Sequence, residues 1–386
     1  MLDFSRQFAS LRTEILDAIT EVCDSQHLIL GPRVAGFEAA AAAACGTSLS
    51  VGCASGTDAL WLALAAAGIG ESTTCSWSIS SPDAVVTTPF SFFASASCVL
   101  RAGARPLFAD IDPHTFNLSP DAVADLLRTP AGQNVKAILP VHLYGQCADF
   151  DAFAALQRDH PELLLIEDAA QAFGATWNGR FAGSLGVAAA FSFYPTKNLA
   201  AFGEAGLVTT SSLDLDARTR SLRSHGMTRR YYHDEVGWNC RMDAIQGAVL
   251  EVKLRYLPQW NLRRQELARR YDELFNAAGL VAANAVDGVV LPWTDPRATH
   301  IFHQYVIRVP RRDALREQLT AQGIGSEIYY PVPLHLQAAL KDLGYKPGDF
   351  PQAERAAAEV LALPIYPELR DDEQQAVVDA IRSFYA

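Results

Sequence analysis

Residues 188–198 read AAAFSFYPTKN. Small and apolar residues run up to a hydroxyl at Ser192. A lysine, Lys197, follows five residues later, in a turn set by Pro195. A short continuous apolar run closed by a turn is the pattern of a strand buried on both faces, as in a parallel sheet. A lysine has an unperturbed pKa of about 10.4 and is ordinarily a solvated surface group. Here the flanks are apolar and aromatic. Partial desolvation lowers a lysine's pKa and lets it form a Schiff base with a carbonyl.

The same kind of strand recurs on either side. Segments 49–54, 84–88, 105–109, 135–141, 163–166 and 207–210 join 188–193 as strand-like runs, and 57–67, 92–102 and 149–158 read as helices between them. The Ala-rich run 39–44 belongs to a further helix. Buried strands separated by helices predict βαβ crossovers, hence an α/β fold with a mostly parallel sheet between two helical layers. After residue 240 the pattern changes. Segments 243–256 and 261–278 read as long helices with Pro258 between them. Strands near 303–309 and 326–330 and helices near 311–322, 351–361 and 371–385 follow. The expected division is a large α/β domain over 1–245, its extreme N-terminus free to pack elsewhere, and a small C-terminal α+β domain over 246–386.

Composition agrees with a globular chain of this size. Of 386 residues, 49% are hydrophobic and 19% charged, which excludes a mainly disordered protein. The 32 basic and 43 acidic residues leave a net charge of −11, which argues against nucleic acid as the main partner. The seven cysteines are odd in number and lack CxxC spacing, which points to buried thiols in a cytoplasmic protein. The N-terminus lacks the pattern of a signal peptide. The most apolar helical run, 59–69, is far short of the roughly 20 residues that span a bilayer, so no membrane partner is expected. Nine histidines are scattered without HExxH or similar spacing, and no metal site is expected. Residues 71–83, ESTTCSWSISSPD, read as an exposed loop of unusual length, either a tolerated insertion or an interaction loop.

In open α/β sheets, ligands bind beyond the carboxyl ends of the strands. Three such ends carry suggestive chemistry. SGTDAL (55–60) follows a strand and opens a helix, where free N–H groups and the helix dipole suit a phosphate. Read alone, it serves equally as an N-cap turn. EDAAQ (167–171) puts an acid at the mouth of a buried strand, structural or functional. The third end is the Lys197 turn. Together they match the needs of pyridoxal phosphate: a lysine for its aldehyde, a carboxylate for its ring nitrogen and a phosphate cup. PFSFFAS (89–95) offers an aromatic to stack on the ring.

At these residues the chain resembles the DegT/StrS group of nucleotide-sugar aminotransferases, pyridoxal phosphate (PLP) enzymes of fold type I. The resemblance runs nearly end to end. It is carried by ILGPRVAGFE, SGTDAL, TTPFSFFAS, GARPLFADIDPHTFN, PVHLYGQ, EDAAQAFGA, SFYPTKNL, LRSHG, GWNCRMDAIQGAVL, YYPVPLH and VLALPIYPEL. It implies a seven-stranded, mostly parallel sheet and a small C-terminal domain. It implies that Lys197 forms the Schiff base and shuttles the proton, that Asp168 pairs with the ring nitrogen and that Gln171 bonds the ring hydroxyl. Phe93 stacks on one ring face and Ala170 packs on the other. Gly56, Thr57 and Ser192 hold the phosphate, joined by Asn239 from the other subunit of a homodimer.

The implied reaction moves an amino group from L-glutamate, through pyridoxamine phosphate, to a keto-sugar nucleotide. Relatives with histidine in place of the lysine act as dehydratases, and Lys197 favours transamination. The Arg-Tyr-rich stretch 225–233, with Arg229, Tyr231 and His233, inclines the reading to a 3-keto over a 4-keto acceptor, dTDP- or UDP-linked. A solvated loop is the plain alternative for that stretch. Tyr330 and His335 are further substrate candidates. His142 lines the pocket or is a satisfied structural histidine. Two features depart from the family's pattern: the long 71–83 connection, and GEAG at 203–206 in place of the commoner GDGG. Two other functions stay open: a cyclitol or other non-nucleotide ketone as acceptor, and a non-catalytic PLP-binding regulator.

Overall fold

The computed structural model of the chain describes residues 3–70 and 82–386. Two helices, α1 (Phe4–Ser25) and α2 (Gly31–Cys45), lead into β1 (Leu49–Cys53). Alternation follows through α3 (Gly56–Ala66), β2 (Ala84–Thr87), α4 (Ala94–Arg101), β3 (Arg105–Phe108), α5 (Pro120–Leu127), β4 (Val135–Leu139), α6 (Phe150–Asp159) and β5 (Leu164–Asp168). A small hairpin, β6 (Thr176–Trp177) and β7 (Arg180–Phe181), precedes β8 (Ala188–Ser192) and β9 (Gly206–Thr210). Next come α7 (Leu213–Leu222), the hairpin β10 (Met227–Arg229) and β11 (Tyr232–His233), α8 (Ala244–Leu254) and α9 (Leu257–Ala277). The remainder holds β12 (Ala298–Thr299), β13 (Tyr305–Arg308), α10 (Arg312–Ala321), α11 (Pro351–Glu359), β14 (Val360–Leu363) and α12 (Asp371–Tyr385).

Seven strands form the central sheet in the order β1-β9-β8-β5-β4-β2-β3. Pairings from β8 to β3 are parallel, and β9 runs against both its neighbours. Side chains alternate between two apolar layers, as the pleat requires. Ala84, Ile138, Leu165, Ala189, Phe191 and Leu207 join the layer of α1, α2 and α8. Val85, Leu139, Ile166, Ala190 and Val208 join the layer of α3 and α4. This two-sided burial is why the strands read as continuous apolar runs.

Register sets up one functional edge. Gly206 pairs with Cys53 on one side and Ser192 on the other. The carboxyl ends of β1 and β8 therefore flank the start of β9. Asp168, which ends β5, pairs with Ala190.

Three details differ from expectation. Pro258 does not separate two helices but sits in the first turn of α9, where a missing N–H costs nothing. No strand covers 326–330; Glu327 makes an isolated bridge to Ala362. The helix expected to 361 stops at Glu359, and Val360–Leu363 turns into β14, buried throughout and antiparallel to β13. The 71–83 connection lies outside the described residues from 71 to 81; at its ends Gly70 N donates to Asp83 Oδ2 (3.0 Å).

A third apolar cluster runs from Leu267 and Tyr271 through β13, α10, β14 and α12. Ala244, Ala248, Val249 and Trp260 belong instead with the sheet. We therefore propose that the division between the two domains falls within α9, later than residue 245.

Candidate active site

Lys197 follows β8 in a turn closed by its own N–H to Tyr194 O (2.8 Å). The segment beyond it has no regular structure, so side chains from two helices hold it. Asn198 Nδ2 donates to Phe173 O (2.8 Å) and to Asn261 Oδ1 (3.2 Å). Phe202 N donates to Gln246 Oε1 (2.8 Å), and Lys253 Nζ to Ala200 O (2.8 Å). Burial lowers the Lys197 ammonium to about 8, with the Asp168 carboxylate opposing the shift.

Asp168 is 3% exposed. Its Oδ2 accepts from Ser95 Oγ (2.7 Å) and its Oδ1 from Ala170 N (3.2 Å). Burial pushes its pKa up, while the Ser95 and Ala170 bonds and the Lys197 charge work the other way. Gln171 is held by both ends of its amide: Oε1 accepts from Tyr144 N (2.8 Å), and Nε2 donates to Tyr330 OH (3.0 Å). Tyr330 thus joins the cluster, and burial raises its phenol pKa. Phe93 opens α4 with 36% of its surface exposed, and Phe92 beside it has 58%. Ala170 is half-buried at the same edge.

Gly56 and Ser192 touch. A Cβ on Gly56 would lie 2.4 Å from Ser192 Cβ, so no side chain fits there. Ser55 caps α3 by accepting from Asp58 N (3.1 Å), and the first backbone bond of the helix is Ala59 N to Ser55 O (2.9 Å). The amides of Gly56 and Thr57 precede that bond, so they are first-turn donors with no partner inside the helix.

Other expected residues stand apart in this chain. Asn239 is exposed, with Oδ1 accepting from Arg241 Nε (3.1 Å). Arg229, Tyr231 and His233 lie on the β10–β11 hairpin with exposed side chains. There the Arg229 guanidinium covers the Tyr232 ring at 3.7 Å, and His233 Nδ1 meets His225 O (2.9 Å).

His335, another expected substrate residue, is enclosed. It is 2% exposed, bonds Glu354 Oε1 (3.1 Å) and packs edge-on against Phe350. Its Nε2 is taken by Glu354, while its Nδ1 is buried without a hydrogen-bond partner among the described residues. His142 resolves to the structural alternative. Its Nδ1 accepts from Ala148 N (3.1 Å), so the hydrogen on Nε2 donates to Glu167 Oε2 (2.9 Å). Glu167 also accepts from the amides of Gly183, Leu185 and Gly186. Among the described residues, no group of three or more His, Cys, Asp and Glu side chains could hold a metal ion. No helix among them is long and apolar enough to cross a membrane.

Two contributors escaped the sequence reading. Ser95 is one; its signal was the spacing of Ser91 and Ser95 by one helical turn. Tyr144 is the other. It fixes Gln171 through its amide and ties its hydroxyl to Tyr329 O, and nothing local in PVHLYGQ marks it.

These residues fit pyridoxal phosphate. The Gly56–Ser192 contact leaves backbone donors bare for a phosphate, and a buried acid faces a desolvated amine across the same edge. Fold and site together define a PLP-dependent enzyme of fold type I. The DegT/DnrJ/EryC1/StrS aminotransferase family matches residues 9–382, and the chain belongs to that family. It is a PLP-dependent transaminase. A Geobacillus stearothermophilus protein called a pleiotropic regulatory protein is 45% identical, covering 100% of this chain and 98% of that protein. The dTDP-3-amino-3,4,6-trideoxy-alpha-D-glucose transaminase of Streptomyces venezuelae is 40% identical over 99% of this chain and 95% of its own. The crystal structure of S. venezuelae DesV in complex with a ketimine intermediate superposes with a TM-score of 0.90 at 40% identity, covering 99% and 97% of the two chains.

Proposed function

We propose that this transaminase takes the amino group of L-glutamate and delivers it to C3 of a keto sugar linked to dTDP or UDP, in the cytoplasm. The coarser statement, transamination of a keto-sugar nucleotide, follows the family. The C3 preference rests on the S. venezuelae relative, whose name places its amine at that carbon, and on the Arg-Tyr hairpin. The observation that carries transamination itself is the desolvated Lys197 beside buried Asp168.

When bound, the cofactor supplies an aldehyde for amines and a ring that takes up electrons from the substrate carbon. Lys197 removes and returns the proton at that carbon. Its lowered pKa makes the neutral amine available near neutral pH. Asp168 accepts the ring nitrogen's hydrogen. Gln171 keeps a second amide hydrogen for the ring hydroxyl, since its first is taken by Tyr330. Phe93 and Ala170 confine the two ring faces. Gly56 N, Thr57 N and Ser192 Oγ hold the phosphate. Asn239 and the hairpin residues Arg229, Tyr231 and His233 are exposed in one chain; we assign them to the site of a partner subunit in a homodimer. Tyr330 reaches the sugar side.

The test is the absorbance of the PLP-loaded protein before and after L-glutamate, then a panel of 3-keto and 4-keto nucleotide sugars and free keto cyclitols. Loss of the visible band with gain at shorter wavelength, reversed by 3-keto nucleotide sugars, is the expected result. Reversal only by free ketones removes the nucleotide from the proposal. A loaded protein indifferent to glutamate removes the donor. The name of the G. stearothermophilus relative favours a second reading, a non-catalytic regulator. Specific DNA binding without turnover would support it.

A further inference from the structure

We propose that Ser95, seconded by Ser91, is a positioning residue that keeps the Asp168 carboxylate ionised and aimed at the cofactor's ring nitrogen. This rests on the reading of Asp168 given above.

Ser91, Ser95 and Asp168 are 3%, 1% and 3% exposed. Ser95 Oγ lies 2.7 Å from Asp168 Oδ2 and 2.9 Å from Ser91 Oγ. An ionised carboxylate only accepts, so the single hydrogen of Ser95 goes to Asp168, and Ser95 then accepts the hydrogen of Ser91. The direction of the chain is settled by the acid at its end. Capping does not explain these hydroxyls, because α4 has no side-chain cap bond.

The need for them is electrostatic. Burial favours the neutral form of Asp168, and the Ser95 bond is the largest influence the other way. One proton is at stake between Asp168 and the ring nitrogen. On the nitrogen it makes the ring a strong electron acceptor; on Asp168 it does not. A hydroxyl donating to a buried carboxylate stabilises the ion and is strong where water is absent. Asp168 Oδ1 is tied to Ala170 N, so Ser95 also sets the rotation of the carboxylate about its last bond.

The test uses apoprotein and two ligands, pyridoxamine 5′-phosphate and its 1-deaza analogue, in which carbon replaces the ring nitrogen. Binding is read by calorimetry. Ser95→Ala should weaken pyridoxamine phosphate roughly tenfold or more and leave the deaza analogue unchanged, which also reports that the variant is folded. Ser91→Ala should act in the same direction with smaller effect. Equal weakening of both ligands, or of neither, overturns the proposal. Asp168→Asn separates the two levels. If it too fails to discriminate the ligands, the reading of Asp168 falls and the role of Ser95 falls with it. If Asp168→Asn discriminates and Ser95→Ala does not, only the role of Ser95 falls.

Discussion

At the scale of single residues, the chemistry turns on a half-buried lysine whose ammonium is disfavoured by the protein atoms around it. A lysine amine attacks carbonyls only when neutral. With its ammonium lowered to about 8, Lys197 is neutral above that pH and protonated below it. The rate at which apoprotein captures pyridoxal phosphate should therefore rise with pH through about 8 and level off above. A rise continuing to the ordinary lysine range of about 10.4 would show that Lys197 is not desolvated in solution. Lys197, Asp168 and the Gly56 turn were legible in the sequence because each sits where a buried strand stops, and a strand stop is a local pattern. Ser95 and Tyr144 were not, because their roles depend on which strand ends the sheet brings side by side. His335 shows the opposite limit. It lies within a motif, yet a motif does not state that its ring is buried against Phe350 and bonded to Glu354.

At the scale of elements, the turn bearing Lys197 is irregular chain held by two helices. Asn261 on α9 accepts from Asn198 and donates to Phe173 O (3.2 Å). Removing it takes away two of the buried hydrogen bonds and leaves the bond of Asn198 Nδ2 to Phe173 O. Asn261→Leu should cost roughly 1–3 kcal/mol in denaturant unfolding and should lower turnover more than it raises the KM for glutamate. A cost near zero would mean the turn holds its shape unaided. The sheet strands were legible because burial on both faces makes them continuous apolar runs. β14 was not. ERAAAEVL (354–361) is alanine-rich and reads as helix, and the pairing of Val360–Leu363 with β13 marks where the strand takes over. β6, β7, β10 and β11 span two or three residues each, too short to show a period.

At the scale of the whole molecule, α1 ties the two ends of the chain together. Its body packs on α8, while Arg6 makes a two-pronged bond to Glu373 at the start of α12 (2.8 and 2.7 Å) and reaches Glu368 O (3.2 Å). The Arg6 bond holds the Glu373 carboxyl down to about 2. A depressed carboxylate stabilises the fold above its ordinary pKa and ceases to as pH falls through the lowered value. Arg6→Ala should therefore lower the melting temperature slightly at pH 7, since partly exposed pairs contribute about 0–1 kcal/mol. The difference from wild type should shrink below about pH 4 and at high salt. A difference constant from pH 7 to pH 3 would assign the loss to packing instead.

The placement of β1 beside β9 also governs how the protein is made. Leu49–Cys53 leaves the ribosome long before its strand partner among the described residues, Gly206–Thr210. Through that long interval the first strand and the helix behind it have no sheet edge to join, and closing so distant a pairing is slow. Gly56 meets Ser192 only when the pairing closes. A chain in which β9 has not yet been made lacks the strand that lies between Gly56 and Ser192, so capture of vitamin B6 is expected only once that strand is in place.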